Sequence, residues 1–351
     1  MAEPDELIVD TTTRIFEDLG DPQSINNMDD DSWREPLWAA LEEIGLTRTW
    51  VPEALGGAGA TMRDGFEVLR IAGQYAVAVP LGETLLGGWL LSKAGLETPL
   101  GALSVAPVNR ADDVRIDGKI LSGVANRVPF AREAEHLAVL ANGQSGPEVA
   151  LVATKDVTIA ASENLARDPT DRVTFEGVTA LNASPSTVDQ QQLQWMGATV
   201  RAMQMAGALQ ALLDMSVNYA TERVAFGRPI GKFQAVQHNL AQLAGEASAA
   251  NAAANSAAYA IDAAGEITDA LFLDIASAKI RVGEAAGDGA MIAHQTHGAI
   301  GFTVEHILHR YSHRLWSWRD EFGDETAWST ELGYKMAAIG ADKFWPTLTS
   351  V

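Results

Sequence analysis

From about Leu7 to Gly95 the apolar residues recur at three- and four-residue spacing, the period of helices buried along one face. The run from Leu37 to Ile44 shows this most clearly, and Gly45 directly after it suits a helix C-terminus. Two further helices are predicted over Met62–Ala76 and Gly82–Ala94, after a loop carrying Gly56, Gly57 and Gly59. Between Gly101 and about Asn182 the period falls to two. Leu103–Pro107, Val114–Ile120, His136–Leu140, Val149–Ala153 and Arg172–Phe175 read as short strands, with Asp117-Gly118 a hairpin-type pair. Strands with no helix between them predict a compact antiparallel β-domain. From Val188 the helical period returns, over Gln190–Arg223, Val236–Gly265, Ile267–Gly298, Val304–Trp316 and Ala327–Ala341. The second of these is rich in alanine, which favours helix and lets neighbours approach closely, so a tightly packed bundle helix is expected. The chain therefore reads as α+β, mostly α. A helical domain is expected at 1–98, an antiparallel β-domain at 99–182 and a bundle of long helices at 183–351.

Charge and composition narrow the function classes. Among 351 residues, 46 are acidic and 25 are Lys or Arg, a net charge of −21. Such a surface repels phosphate backbones and anionic lipid, so neither nucleic acid nor membrane is an expected partner. The absence of cysteine excludes disulfides, thiolate metal sites and thiol nucleophiles. No apolar leader follows the acidic start, and the most apolar early stretch, Tyr75 to Leu91, is interrupted by Pro80 and Glu83; a cytoplasmic protein is expected. His294, His297, His306, His309 and His313 cluster, and the last two share a helix face as zinc ligands can. Arg310 and Arg314 lie beside them and the H-E-x-x-H glutamate is missing, so no metal is expected. No P-loop, dinucleotide fingerprint or G-x-S-x-G elbow occurs.

The most informative stretch runs from Glu222 to Gln234. It ends one long helix, turns at Gly227–Pro229 and feeds the next. Arg223, Arg228 and Lys232 around Phe226 and Phe233 form a cationic, aromatic corner on an acidic chain. That chemistry suits a pyrophosphate and an adenine ring, and equally a solvated turn between two helices. The same residues resemble the R-x-x-F-G-x-x-I-x-x-F-Q signature of the acyl-CoA dehydrogenase family. Gln295, Gly298, Gly301, Phe302 and Glu305 are similar to that family's Q-x-x-G-G-x-G-[FY]-x-x-E. Glu43 to Gly59 matches its N-terminal loop. The resemblance spans Trp33 to Gly323 and implies an N-terminal helical domain, a middle β-domain and a C-terminal four-helix bundle. It also implies dimers of dimers with FAD between subunits. Arg223 and Phe226 would meet the ADP half of a flavin held mainly by the neighbour. Gln295, Gly298 and the backbone at Ala299 would contact its pyrophosphate, Ala299 standing where the family has glycine.

The resemblance breaks at the chemistry. The family's reaction needs a carboxylate to take the α-proton of an acyl-CoA while the β-hydride goes to the flavin. At the two positions where members carry that base, this chain has Phe322, with Glu321 one residue away, and Gly197. The segments that would hold the flavin ring are replaced by Ser104–Arg110 and Arg127–Ala131. Such a chain resembles the smaller subunit of heteromeric bacterial acyl-CoA dehydrogenases that degrade steroids. The resemblance implies FAD, a larger partner subunit in an α2β2 assembly, a bulky or steroid-derived acyl-CoA and an electron-transfer acceptor. Two other readings stand beside it: a self-sufficient homo-oligomer with Glu321 or Asp320 as a displaced base, and a structural subunit that stabilises a partner.

Overall fold

The computed structural model describes residues 3–349. Five helices come first: α1 (Glu6–Leu19), α2 (Pro22–Asn26), α3 (Arg34–Glu43), α4 (Met62–Tyr75) and α5 (Leu81–Lys93). Local chemistry sets their ends. The Asp5 carboxylate accepts from the Leu7 N–H, and Thr61 with Asp64 forms a reciprocal capping box at the start of α4. Gly45 takes φ 82° after α3, a turn that its lack of a β-carbon makes cheap.

Eight strands follow: β1 (Leu103–Ala106), β2 (Asp113–Asp117), β3 (Ile120–Pro129), β4 (His136–Gly143), β5 (Gly146–Ala153), β6 (Thr158–Ala160), β7 (Thr170–Thr179) and β8 (Asn182–Pro185). They form one sheet in the order β6-β7-β3-β2-β4-β5-β8, with β1 beside β4. Pairing is antiparallel except at β4, which runs parallel to β1 and to one residue pair of β2. The expected run Val114–Ile120 is cut by the turn at Gly118 into β2 and β3. Strand β3 then continues through Ser122, Asn126 and Arg127, where alternation is absent. Register shifts after Leu121 and Ala125 re-aim its side chains, and Arg127 enters the left-handed region at φ 56°.

The remaining chain is helical: α6 (Gln190–Glu222), the short hairpin β9 (Val224–Ala225) and β10 (Arg228–Pro229), then α7 (Gln234–Ala264), α8 (Phe272–His297), α9 (Leu308–Asp320), α10 (Glu325–Ile339) and α11 (Ala341–Thr349). Helix α6 is the spine. It is buried on every side from Leu193 to Leu209 and packs against α4, α7 and α8. At its crossing with α4 the two backbones touch. A β-carbon on Gly207 would lie 1.8 Å from the Arg70 carbonyl oxygen, and one on Gly73 would lie 2.0 Å from that of Gln204. Alanines at three- and four-residue spacing (Ala247, Ala250, Ala254, Ala257) form the buried stripe of α7, which packs against α6 and α8. One apolar core joins the N-terminal helices to the bundle, and a second fills the sheet. Among the described residues no helix is long and apolar enough to cross a membrane.

Candidate functional site

The corner after α6 is built by backbone geometry. Arg223 leaves the helix extended, its N–H still donating to the Tyr219 carbonyl at 2.8 Å. Phe226 at φ 52° and Gly227 at φ 82° then reverse the chain in the left-handed pair of a tight hairpin. This holds the Phe226 ring 95% exposed, edge-on to Phe233 at 6.1 Å. The Arg228 guanidinium lies over Phe233 at 4.3 Å. Left-handed backbone and an uncovered aromatic ring are each unfavourable in the isolated chain, and the exposure of the ring is what a ligand or partner covering it would offset.

A second turn lies beside the first. Helix α8 ends at His297, and Gly298 takes φ 64° and ψ −142°, a region that only glycine enters readily. A β-carbon there would meet nothing within 4 Å, so the backbone faces open space. Gln295 and Ala299 are both exposed. The Tyr219 hydroxyl donates to the His297 carbonyl at 3.3 Å, and its ring stacks on the His297 ring at 4.5 Å. Tyr219 is one turn before Arg223, so Arg223, Phe226, Gln295, Gly298 and Ala299 share one end of the bundle. The nearby histidines serve packing. His297 donates through Nδ1 to the Ala293 carbonyl at 2.8 Å, and burial pulls its pKa down to about 4. Among the described residues no cluster is able to hold a metal.

Glu321 lies elsewhere. Its partner, Arg201, precedes Arg223 by six turns of α6, about 33 Å along the axis. Arg201 is buried; its Nε donates to Glu321 Oε2 at 2.7 Å, and its terminal nitrogens donate to Gln204 and Glu83. Burial opposes the charge on Arg201, but Glu321 and Glu83 outweigh it and hold the guanidinium protonated. Burial raises the Glu321 carboxyl above its usual range, Arg201 pulls it back, and the neighbouring Glu83 charge raises it again. The turn from α9 to α10 is pinned from below by Lys279 on α8. Its fully buried ammonium donates to the carbonyls of Arg319 at 2.5 Å and Gly323 at 2.7 Å. Burial lowers its pKa to about 8.

That turn aims Phe322, at φ 55°, onto α6. A β-carbon on Gly197 would lie 2.3 Å from the Phe322 ring, so the two residues at the expected base positions fill one another's space. Beneath Phe322, between Glu83, Val105, Pro129 and Arg201, only about 10 Å³ of void remains. A single water needs roughly that much, so in this arrangement Phe322 leaves no room beneath it for a substrate. Outside Phe322 lies a cavity of about 400 Å³ lined by Asn109, Asp320, Asp324 and Trp328 and bridged by the Arg110–Glu331 ion pair at 2.8 Å. Sequence reasoning missed Glu83, Arg201 and Lys279. A signal existed for two of them: Arg201 is the lone charge between Asp189 and Asp214, and Lys279 interrupts the apolar stripe of Ile275, Ala276 and Val282.

Comparison with known proteins agrees across most of the chain. Residues 187–317 match the family described as acyl-CoA dehydrogenase, C-terminal domain. The acyl-CoA dehydrogenase IpdE2 of Mycolicibacterium smegmatis is 28% identical over 90% of this chain and 93% of its own length. FadE34 of Mycobacterium tuberculosis, also an acyl-CoA dehydrogenase, is 32% identical over 81% of this chain and 39% of its own. Among solved structures, a chain of the ChsE4–ChsE5 complex from Mycobacterium tuberculosis superposes with a TM-score of 0.85 at 23% identity, covering 96% of this chain and 98% of that one. A variant of the Tcur3481–Tcur3483 steroid ACAD gives 0.82 at 26% identity, covering 95% and 97%.

Proposed function

The chain belongs to the acyl-CoA dehydrogenase family, and on that premise we propose that it is the smaller subunit of an FAD-dependent heteromer, contributing the ADP-binding half of an inter-subunit flavin site. The observation that carries this reading is the closed cleft. Phe322 packs on Gly197, and Glu321, the nearest carboxylate, is committed to Arg201. Freeing Glu321 to accept a substrate proton would break a buried ion pair, at a cost of about 3–5 kcal/mol.

The end of the bundle suits the other half of the cofactor. Arg223 offers an exposed guanidinium for a diphosphate, the uncovered Phe226 ring offers a face for adenine, and Gly298 leaves backbone open for phosphate oxygens. The outer cavity does not suit a flavin ring: Phe322 closes its floor, Asp320 and Asp324 line it with negative charge, and the Arg110–Glu331 ion pair bridges it. When bound, FAD supplies the hydride acceptor for acyl-CoA oxidation. This chain's residues hold the cofactor's ADP and exclude water from its edge, while the larger subunit supplies ring pocket and base in an α2β2 assembly that passes electrons to a separate acceptor. A steroid-derived acyl-CoA is supported by the name of the Tcur3481–Tcur3483 relative.

Flavin content tests the assignment. Purified alone, the chain should be colourless, and co-expressed with its larger partner it should carry one FAD per pair of subunits. Stoichiometric FAD on the isolated chain would defeat the heteromer reading and restore the self-sufficient one.

A further inference from the structure

We propose that the cleft between α9, the loop at 166–168 and the segment from the end of α2 to the start of α3 binds a phosphate-type oxyanion on Arg167 and Arg310. The cleft has a volume of about 450 Å³, within the range of small-molecule sites, and four arginines line it: Arg34, Arg167, Arg310 and Arg314. On a chain of net charge −21 such a concentration of guanidinium is exceptional.

Two of the four are neutralised from within. Arg314 donates to buried Asp168 at 2.8 Å, and Arg34 pairs with Glu133 at 2.9 Å and with Asp31 at 3.4 Å. Among the described residues the other two side chains have no ion pair or hydrogen bond. Arg310 is the telling one. It is half-buried, its Nε is shielded from water without a partner, and it stands one helical turn before the like charge of Arg314. The Nε atoms of Arg34 and Arg314 are unpartnered as well. Asp168 and Asp31 offset part of the Arg310 charge from a distance, but among the described residues neither pairs with it, and its shielded Nε keeps an unmet hydrogen bond that a bound oxyanion would satisfy.

Arg167 is held at the mouth by its own loop. The Asn164 side chain accepts from the N–H groups of Ala166 at 2.9 Å and Asp168 at 3.1 Å, which fixes Arg167 at φ 63°. Asp29, Asp30 and Asp31 line the opposite wall, but they are exposed and screened by water and salt, whereas Arg310 is not. Two planar guanidinium forks, neither hydrogen-bonded nor ion-paired among the described residues, match a tetrahedral dianion better than a single carboxylate. The phosphate belongs either to the free ion or to a phosphorylated small molecule.

Titration calorimetry and thermal unfolding on the full chain, co-expressed with its partner where that is needed for solubility, test the site. Inorganic phosphate should bind saturably and raise the melting temperature above that in chloride of equal ionic strength. Arg310→Gln and Arg167→Gln should each weaken binding at least tenfold. Arg310→Lys, which keeps the charge and loses the fork, should weaken it less than Arg310→Gln, and it serves if Arg310→Gln does not fold. Arg115→Gln, on β2 and outside the cleft lining, should change nothing. A phosphate response that survives Arg310→Gln, or no saturable binding to the unaltered chain, overturns the proposal. Glycerol phosphate binding more tightly than phosphate assigns a phosphorylated metabolite, and the reverse order assigns the free ion.

Discussion

The open end of the bundle and the closed cleft under Phe322 lie on the same helix, α6, and are built in opposite ways. At the open end, strained turns display Phe226 and the Gly298 backbone to solvent, with nothing among the described residues to cover them. At the closed cleft, buried charge is met within the chain: Arg201 pairs with two carboxylates, and the Lys279 ammonium donates to two carbonyls. An unfinished surface marks where another molecule must complete the site. A finished interior is one whose own side chains fill the space and hold its buried charges.

The contrast fails first, and most visibly, at Arg201. Arg201→Leu leaves Glu83 and Glu321 buried without a counter-charge, so urea unfolding should show a loss of about 3–5 kcal/mol. A loss below about 1 kcal/mol would mean the carboxylates are wetter than their burial implies. Arg223→Ala should act on the cofactor instead. Flavin retention after gel filtration of the assembled complex should fall roughly ten- to a hundredfold, equivalent to about 1.5–3 kcal/mol. The chain's own melting temperature should barely move, and a complex that keeps full flavin would remove Arg223 from the site.

Lys279 is read through pH, because its bonds to two carbonyls can persist in either protonation state. Its folded pKa of about 8 lies below the ordinary lysine value of 10.5, so the folded state holds fewer protons between those limits. Burial of the charge therefore costs stability fully below pH 8, and stability should rise as pH climbs from 8 towards 10.5. Lys279→Met should flatten that rise, and an unchanged slope would assign it to other groups. Least affected should be the assembled enzyme carrying Glu321→Gln, with turnover within a few-fold of normal. Complete loss would make Glu321 the base and reopen the cleft as an active centre.

The residues that define the open end were legible because their message is local. A Phe-Gly pair between two helices, and a glycine after Gln295 where a helix must stop, each carry their conformation in a few adjacent positions. The helical and β-rich stretches were legible for the same reason, since hydrophobic period is a property of neighbours. What depends on distant partners was not. Glu83 and Glu321 reach Arg201 from 118 and 120 positions away, and no spacing within α6 announces either. The parallel pairing of β1 with β4 is equally silent, because alternation sets which face a strand buries and says nothing of its direction. Strand β3 was hidden by its own bulges, which spoil the alternation that would have announced it. Helix α11 was obscured by Pro346, which reads as a break yet sits inside it.

The backbone contact at the crossing of α4 and α6 also imposes a timetable on synthesis. Gly73 leaves the ribosome about 130 residues before Gln204, the residue whose carbonyl it must meet. At roughly 5–20 residues per second, the apolar face of α4 waits on the order of ten seconds for its partner. During that interval Phe66, Leu69 and Ile71, all buried in the finished fold, have no spine to pack on. Pausing translation between the sheet and α6 would lengthen the exposure of that apolar face in direct proportion.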